Sequence, residues 1–406
     1  MIAQFSVANF RSIKQKLTLS FIASANNDYA DYYISRMPDD VGLLKMAIIY
    51  GANASGKTTI LEALDFFRQL MISRPADKAA PIAYDRFMFD DTSRSAPSTM
   101  SMCFYLNGHK HVLSIDFDNT KVINESLTFY ETTHPSILYR RSYDAANDSS
   151  SVSFGDKLRL TPDDKRNIRG NTTKNCSLMA AFGTVNVSRA TQLNHVYTFF
   201  ATAISELIYP RLGLWHYTHA QLKNDNNGNL KRFLLTFLKA SDFNISDFTL
   251  RDADTTRLTF THHTTGGYYE LDEAAESNGT IRYMGVATLL HRLLSTNAIV
   301  TIDEMETSIH YELLTYLLRS YLMNTDEHHS QLIFTTHDIN LLNEDFLRRD
   351  VVWFTEKDGN GATLLSRLSN ASLHKNISPY NAYRQGKIIA LPFVASPYFN
   401  LHGNEK

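Results

Sequence analysis

The stretch LLKMAIIYGANASGKTTILEALDFFRQLMI, residues 43–72, decides the fold. Its first part, Leu43–Tyr50, is a compact apolar run typical of a buried parallel strand. A glycine-rich turn follows, and Thr58–Ile72 then carries apolar side chains at helical intervals. The stretch therefore predicts a strand, a tight loop and an amphipathic helix in direct succession.

The turn matches the pattern G-x-x-x-x-G-K-[ST] over residues 51–58. Glycines let backbone N–H groups turn inward toward an anion, and the helix start adds partial positive charge. Lys57 can reach β- and γ-phosphates, and the Thr58 hydroxyl can ligate Mg2+. The alternative is a glycine-rich turn before a helix, with the lysine merely solvated. The predicted nucleotide-binding residues are Gly51, Asn53, Ala54, Ser55, Gly56, Lys57, Thr58 and Thr59.

A second apolar strand, predicted at Ala298–Asp303, ends in two carboxylates, those of Asp303 and Glu304. A buried parallel strand delivers its last residues to the ligand crevice of an open α/β sheet. We expect Asp303 to hold the Mg2+ shell and Glu304 to polarise an attacking water. The alternative is a strand that simply exits into a polar loop. Asp303 lies 246 positions after Lys57, so a large insertion must split the nucleotide fold.

A third strand is predicted at Gln331–Thr335, and His337 follows it. A helix predicted at Tyr311–Met323 joins it to the acidic strand. Because strands joined by one short helical crossover commonly lie side by side, we expect these two strands to be neighbours in the sheet. We therefore expect His337 near Glu304, where it contacts the γ-phosphate or senses its loss. The chain has 15 histidines, and only position distinguishes this one from a satisfied or solvated side chain.

The rest of the chain is predicted in three parts. Residues 1–155 form an N-terminal lobe with the phosphate loop and a β subdomain, in which Asn107-Gly108 marks a hairpin. Residues 156–240 are a mainly helical insertion, with a helix from about Ala190 to Ile208. Residues 241–406 form a C-terminal lobe. The polar stretch Asp144–Ser151 is predicted to be a loop.

Composition limits the function further. The chain has 406 residues, of which 43% are apolar and 20% charged, as in globular proteins. A net charge of −2 gives no global basic field for DNA or an anionic membrane, although residues 157–174 are a local basic candidate. Cys103 and Cys176 alone exclude a disulfide framework and fit a reducing cytoplasm. Met1 to Ile13 is typical of a strand rather than a secretory signal. The apolar run Ile388–Ala395 is far shorter than the ~20 residues of a membrane helix.

Together these motifs resemble the ABC-type ATPase heads of the SMC and RecF class. The opening Phe5–Ser12 is similar to the N-terminal strand-turn of that class, which implies that Arg11 lies near the nucleotide. Ser277-Asn278-Gly279 at a helix start resembles the signature motif, which implies that Ser277 and Gly279 bind the γ-phosphate held by the opposite protomer. The segment lacks the two consecutive glycines and the Gln of transporters. No counterpart of the Gln loop is evident, and Tyr84–Asp91 is the region where we would expect it.

Within this class, the chain resembles AAA-type ATPases of the RloA and AriA kind from restriction-associated and anti-phage operons. Tyr50–Lys57, Glu276–Arg282 and Tyr383–Lys387, followed by Leu391–Phe393, carry this likeness. It implies an α/β ABC-type P-loop ATPase head, with a mixed or parallel sheet and an antiparallel β subdomain, split by a helical insertion. It also implies ATP and Mg2+, a homodimer or higher homo-oligomer, and a separate effector, nuclease or toxin, from the same operon, with a phage-derived trigger.

Other functions remain as alternatives. A DNA-repair or recombination head of the SMC and RecF kind would need a basic stripe, for which residues 157–174 are the candidate. A self-contained nuclease with a Toprim domain is disfavoured, because only 69 residues follow His337. A transporter motor is disfavoured by the departure in the signature motif and by the lack of a membrane span.

Overall fold

The structure is a computed structural model that describes residues 1–132, 134–209, 214–241, 243–252, 256–324, 328–371 and 377–388. The predicted feature Leu391–Phe393 lies outside the described residues. The strands are β1 (Ile2–Ala8), β2 (Leu17–Ser20), β3 (Ile34–Arg36), β4 (Gly42–Leu44), β5 (Met46–Gly51), β6 (Ser98–Leu106), β7 (His109–Phe117), β8 (Val122–Tyr130), β9 (Pro135–Asp144), β10 (Ser149–Phe154), β11 (Ile245–Asp252), β12 (Thr256–Thr264), β13 (Gly267–Asp272), β14 (Ile299–Ile302), β15 (Gln331–Thr335), β16 (Val352–Lys357) and β17 (Thr363–Arg367). The α-helices are α1 (Ala30–Tyr33), α2 (Lys57–Ile72), α3 (Asp91–Ser95), α4 (Pro162–Asn171), α5 (Leu178–Phe182), α6 (Thr191–Thr198), α7 (Leu214–Lys223), α8 (Asn229–Ala240), α9 (Asn278–Ser295), α10 (Tyr311–Met323) and α11 (Pro379–Arg384).

The central sheet has the strand order β14-β15-β5-β16-β17. Its first four strands run parallel, and β17 is antiparallel to β16. Alternate residues of β5 enter two different cores, since Ala47 and Ile49 lie in one and Ile48 and Tyr50 in the other. Both faces of the sheet are therefore buried, which explains why this strand reads as a continuous apolar run.

A second, antiparallel sheet has the order β10-β9-β8-β7-β6-β1-β2. Its predicted hairpin is present, because Asn107 and Gly108 both have positive φ, 50° and 76°, as a type I′ turn requires. The sheet packs on α2, for example through the rings of Phe5 and Phe67, whose centroids are 5.8 Å apart. The predicted fold class, a P-loop α/β head with an antiparallel β subdomain, is confirmed.

The loop predicted at Asp144–Ser151 is shorter than expected. Ser149 pairs with Asp144 and Ser151 with Ser142, so the last part of this stretch belongs to β10 at the edge of the antiparallel sheet. The serines misled the prediction because an edge strand with exposed side chains needs no apolar alternation.

The helices of the middle stretch contribute to both cores. Leu193 and Phe200 pack with α2 and the antiparallel sheet, whereas Leu214 and Leu234 pack with α9 and α10. The predicted helix from Ala190 to Ile208 is wrong at its end, since α6 passes into a π-helical turn at Phe199–Ala203 and the chain then becomes extended.

The extended segment that follows α6 lies against the acidic strand. Ile204 and Ile208 form parallel bridges to Ile299 and Ile302, which covers the outer edge of β14. The Asp303 N–H donates to the Ile208 carbonyl at 2.8 Å. This pairing with the sheet overrides the local helical pattern. The predicted three-part division of the chain stays a prediction. In the described part of the chain, no helix is long and apolar enough to cross a membrane.

Candidate nucleotide-binding site

The phosphate loop turns from β5 into α2 at the carboxyl end of the central sheet. Gly56 adopts a φ of 108°, and a Cβ at this position would lie 2.2 Å from the Thr363 hydroxyl oxygen, so only glycine fits. Ala54 has a φ of 60° and, like Asn53, is exposed at the loop tip. A left-handed non-glycine residue costs about 1–2 kcal/mol, which the surrounding contacts must offset.

Hydroxyl groups of β16 and β17 hold the loop from below. Ser55 and Thr355 share a hydrogen bond of 2.6 Å between their hydroxyls, and Thr363 donates to the Ser55 carbonyl at 3.0 Å. Ser12, in the turn after β1, pairs with Thr363 at 2.8 Å and donates to the Thr59 hydroxyl at 3.3 Å. Thr355 and Thr363 belong to no sequence motif, so the sequence did not predict their contacts with the loop.

Lys57 reaches back into the hollow of the loop. Its ammonium donates to the carbonyls of Gly51 at 2.9 Å and Ala52 at 3.2 Å. Burial lowers the pKa of Lys57, while the carboxylates of Asp303 and Glu304 act in the opposite direction. The cation thus lies where a phosphate bound by the inward N–H groups would meet it.

Asp303 and Thr58 meet across the site, as the sequence predicts for a shared magnesium shell. The Thr58 hydroxyl donates to both carboxylate oxygens of Asp303, at 3.1 and 3.0 Å. Thr335, on the neighbouring β15, donates to the same carboxylate at 2.6 Å and fixes its direction. A hydroxyl and a carboxylate are the oxygen ligands that Mg2+ prefers beside nucleotide phosphates, so the residues present fit this ion.

Glu304 has a strained backbone with a φ of 45°. Its N–H donates to the Thr335 hydroxyl at 2.8 Å, which holds this conformation. The side chain is 44% exposed, so its carboxylate faces the solvent side of the site, where a water could be activated. Strain of this kind persists where the surroundings over-determine a residue, and it commonly marks a functional position.

His337 lies beside Glu304, as the strand order predicts. Its Nε2 is 3.9 Å from a carboxylate oxygen of Glu304. Its backbone N–H donates to Glu306 at 2.7 Å, which anchors the turn after β15. Glu306 thus connects the loop after β14 to the turn after β15.

Arg11 lies beside the second turn of α2 rather than on the loop itself. Its φ is 47°, and its guanidinium forms an ion pair with Glu62. Its N–H donates to the Asp85 carbonyl at 2.8 Å, and a cavity of about 570 Å³ is lined by Arg11, Tyr84 and Asp85. The region where a Gln-loop counterpart was expected therefore begins next to Arg11.

The predicted signature residues lie on another loop. Ser277 is the N-cap of α9, because its hydroxyl accepts from the Thr280 N–H at 3.0 Å. A Cβ at Gly279 would lie 3.3 Å from the Ser308 carbonyl oxygen, so the start of α9 packs on the loop that follows the acidic strand. Gly279 thus lies beside Ser308, and neither Ser277 nor Gly279 takes part in the hydrogen bonds described above for the phosphate loop.

Two lysines of the basic candidate segment pair with carboxylates of the same chain. Lys157 pairs with Glu131, and Lys174 contacts Asp148 at 2.8 Å. The cations of this segment therefore do not form an open stripe at these positions, and the DNA-binding alternative stays a prediction without support from this surface.

Three comparisons with known proteins bear on this site. Residues 46–343, more than half of the chain, match the model of a family described as "AAA domain, putative AbiEii toxin, Type IV TA system". No curated protein matches the chain in sequence.

Solved structures similar to the chain include heads of SMC proteins. The SMC head domain from Thermotoga maritima is 12% identical with a TM-score of 0.44, covering 90% of this chain and 98% of that one. An SmcHead bound to the C-winged helix domain of ScpA is 14% identical with a TM-score of 0.45, covering 91% and 99%. A head with an extended coiled coil, bound to the C-terminal domain of ScpA derived from Pyrococcus furiosus, is 11% identical with a TM-score of 0.42, covering 95% and 98%. At TM-scores this low, the likenesses carry no conclusion about this chain.

Proposed function

We propose that the chain, which belongs to the AAA domain family matched by residues 46–343, is a Mg2+-dependent ATPase. Its assembly depends on nucleotide. One observation carries the proposal. The Thr58 hydroxyl and the Asp303 carboxylate, 245 positions apart, meet within 3.1 Å, and the charge of that carboxylate acts on the ammonium of Lys57. Such a meeting of loop hydroxyl, acidic strand end and lysine suits a magnesium-bound triphosphate.

Each residue of the site then has a defined task. The loop N–H groups and Lys57 hold the phosphates, while Thr58 and Asp303 would hold Mg2+, which neutralises developing charge when bound. In this proposal Glu304 orients the attacking water and accepts its proton, and His337 contacts the γ-phosphate. Catalysis therefore depends on positioning and charge rather than on a covalent intermediate.

A second copy of the chain would complete the site. The start of α9 offers N–H groups at a helix N-terminus, which favours an anion. Because Gly279 lies near Ser308 and neither it nor Ser277 contacts the phosphate loop of the same chain through the hydrogen bonds described above, we propose that both bind the γ-phosphate held by the other protomer. The assembly is thus a homodimer or a higher homo-oligomer with nucleotide at its interface.

The test combines nucleotide binding and mass measurement. We expect Lys57→Ala to abolish binding of a fluorescent ATP analogue, because the phosphates lose their cation. We expect Glu304→Gln to keep ATP bound and to trap the assembled form, seen by mass photometry. Lys16→Ala, at an exposed position outside the site, is the control and should behave as wild type. Wild-type turnover by Glu304→Gln would contradict the role of Glu304.

The resemblance to ATPases of the RloA and AriA kind supports a finer proposal. The ATPase acts in the cytoplasm in anti-phage defence, as sensor and scaffold for a separate effector. That effector is a nuclease or toxin from the same operon, and a phage-derived trigger releases it. Cys103 and Cys176 are both free thiols, in keeping with that compartment. Co-purification of neighbouring gene products with Glu304→Gln, compared with Lys57→Ala, tests this step. An effector that binds neither form would refute it.

A further inference from the structure

The turn before α9 contains a buried carboxylate, that of Glu276. Its side chain is only 5% exposed, although Ser277 beside it lies at the surface. The Oε1 atom of Glu276 accepts a hydrogen bond from Nε2 of His262 on β12, since a carboxylate has no proton to donate. Its Oε2 atom accepts the N–H of Ser277 at 3.3 Å. One carboxylate therefore joins the three-stranded sheet β11-β12-β13 to the N-cap of α9.

The same carboxylate is an anion at the start of a helix. The N–H groups of the first turn of α9, those of Asn278 and Gly279 among them, have no acceptor within the helix. These groups and the helix dipole attract a nearby anion. Because Glu276 already accepts the N–H of Ser277, a carboxylate free to turn would compete with a γ-phosphate for the same groups.

We infer that His262 is a positioning residue, which holds the Glu276 carboxylate against β12 and keeps the start of α9 open to the γ-phosphate of another protomer. The inference rests on the proposed function, in which Ser277 and Gly279 bind that phosphate. With Oε1 fixed by the ring, Glu276 cannot turn both oxygens toward the helix. A residue of the three-stranded sheet thus controls how well one protomer receives the nucleotide of the other.

The next residue of β12, His263, provides an internal comparison. Successive side chains of a strand point to opposite faces of the sheet. The ring of His263 lies against the ring of Tyr268 on β13, with centroids 4.9 Å apart. Its N–H donates to the Asn244 carbonyl at 2.8 Å, so its backbone is held as part of the same sheet. A change of the His263 ring therefore alters the strand without altering the hydrogen bond to Glu276.

The first test measures association in the presence of ATP by mass photometry. We expect His262→Phe to weaken association by about tenfold or more, because the carboxylate loses a charge-assisted hydrogen bond and is released. His262→Gln, whose amide can also donate, should associate within about threefold of wild type. His263→Phe is the matched control and should associate as wild type does. If His262→Phe does not fold in a urea titration, His262→Thr takes its place, since threonine suits a strand and is too short to reach Glu276.

The second test distinguishes this role from a merely structural one. Glu276→Gln removes the competing charge and should associate at least as tightly as wild type. The double variant with His262→Phe should associate within about twofold of Glu276→Gln alone, because no carboxylate is left to be released. If the hydrogen bond only fastened the sheet to the helix, Glu276→Gln would not restore the association that His262→Phe loses.

The outcomes separate this inference from the proposed function. Wild-type association by His262→Phe, or a double variant as weak as His262→Phe, would overturn the role of His262 and leave the proposed assembly intact. Wild-type protein that binds a fluorescent ATP analogue without associating would overturn the assembly and this inference together. The two failures are distinguishable, because the first appears only in the variants and the second appears in the wild type.

Discussion

Thr335 offers the sharpest test of how the acidic strand end is built. Its hydroxyl donates to Asp303 at 2.6 Å and accepts the Glu304 N–H at 2.8 Å, and the residue is fully buried. Thr335→Val keeps the shape and β-propensity of the side chain but removes both hydrogen bonds. The substitution therefore tests the hydroxyl alone, which holds the proposed metal ligand Asp303 and the strained backbone of Glu304.

The size of the effect follows from the two lost contacts. A hydrogen bond to a charged carboxylate contributes about 1.5–3 kcal/mol, and a buried N–H left without an acceptor costs about 1–3 kcal/mol. We expect the free energy of unfolding to fall by about 3–5 kcal/mol. Since Glu304 then loses the contact that fixes its φ of 45°, kcat should fall about a hundredfold, the typical contribution of a positioned general base.

Urea unfolding and steady-state ATP turnover measure the two effects. Thr335→Ser keeps the hydroxyl and should retain most of the turnover. Thr301→Val is the matched control on the neighbouring strand, because the Thr301 hydroxyl is buried without a hydrogen-bond partner among the described residues. That change should be neutral or stabilising. Wild-type kcat in Thr335→Val would refute the positioning of Glu304 through this hydroxyl.

Three further predictions address other parts of the molecule. In calorimetry, Thr58→Val should weaken Mg2+-dependent ATP binding by about tenfold or more, while Thr58→Ser should not. Equal affinity of the wild type for ATP with and without Mg2+ would contradict the role of Thr58 as a metal ligand. Ser277→Ala removes the N-cap of α9 and should lower stability by about 1 kcal/mol while abolishing ATP-dependent association in mass photometry; association at wild-type ATP levels would refute its role at the interface. Burial lowers the pKa of His111 to about 4, against an ordinary value of 6.5. As the pH falls, the unfolded chain therefore takes up this proton at a higher pH than the folded chain does. The free energy of unfolding should fall by about 2–3 kcal/mol as the pH drops from 6.5 toward 4. In urea titrations, His111→Phe should lose most of this acid dependence, and an unaltered slope would show that another group causes it.

Local patterns predicted the elements that frame the site. The helix Tyr311–Met323 and the strand Gln331–Thr335 have the predicted bounds, because a periodic apolar face and a short apolar run between polar turns are strong signals. His337 and Glu304 lie together because neighbouring parallel strands end at one edge of the sheet. Motif and topology were enough for these residues.

Side chains that act through sheet order could not be predicted in this way. Thr355 and Thr363 support the phosphate loop only because β16 pairs with β5 and β17 pairs with β16. Nothing in a single strand's sequence states its neighbours. Threonine is also an ordinary strand residue, so its hydroxyl draws no notice. The burial of Arg282 could not be predicted either, because a charged residue on a helix is usually solvated. Its burial depends on how α9 packs.

Several strained or unpaired groups at the site indicate that the single chain without nucleotide is not the functional form of the protein. Left-handed Ala54 and Glu304, together with the buried unpaired atoms of Arg282 and Glu306, each carry a cost that other contacts must offset. A triphosphate with Mg2+ would engage Lys57 and the loop N–H groups, and a second copy would supply an anion to the start of α9. Binding of the nucleotide and of the second copy could therefore offset the cost of the groups that one chain leaves strained or unpaired. Nucleotide would control assembly in this way, because it stabilises the assembled form.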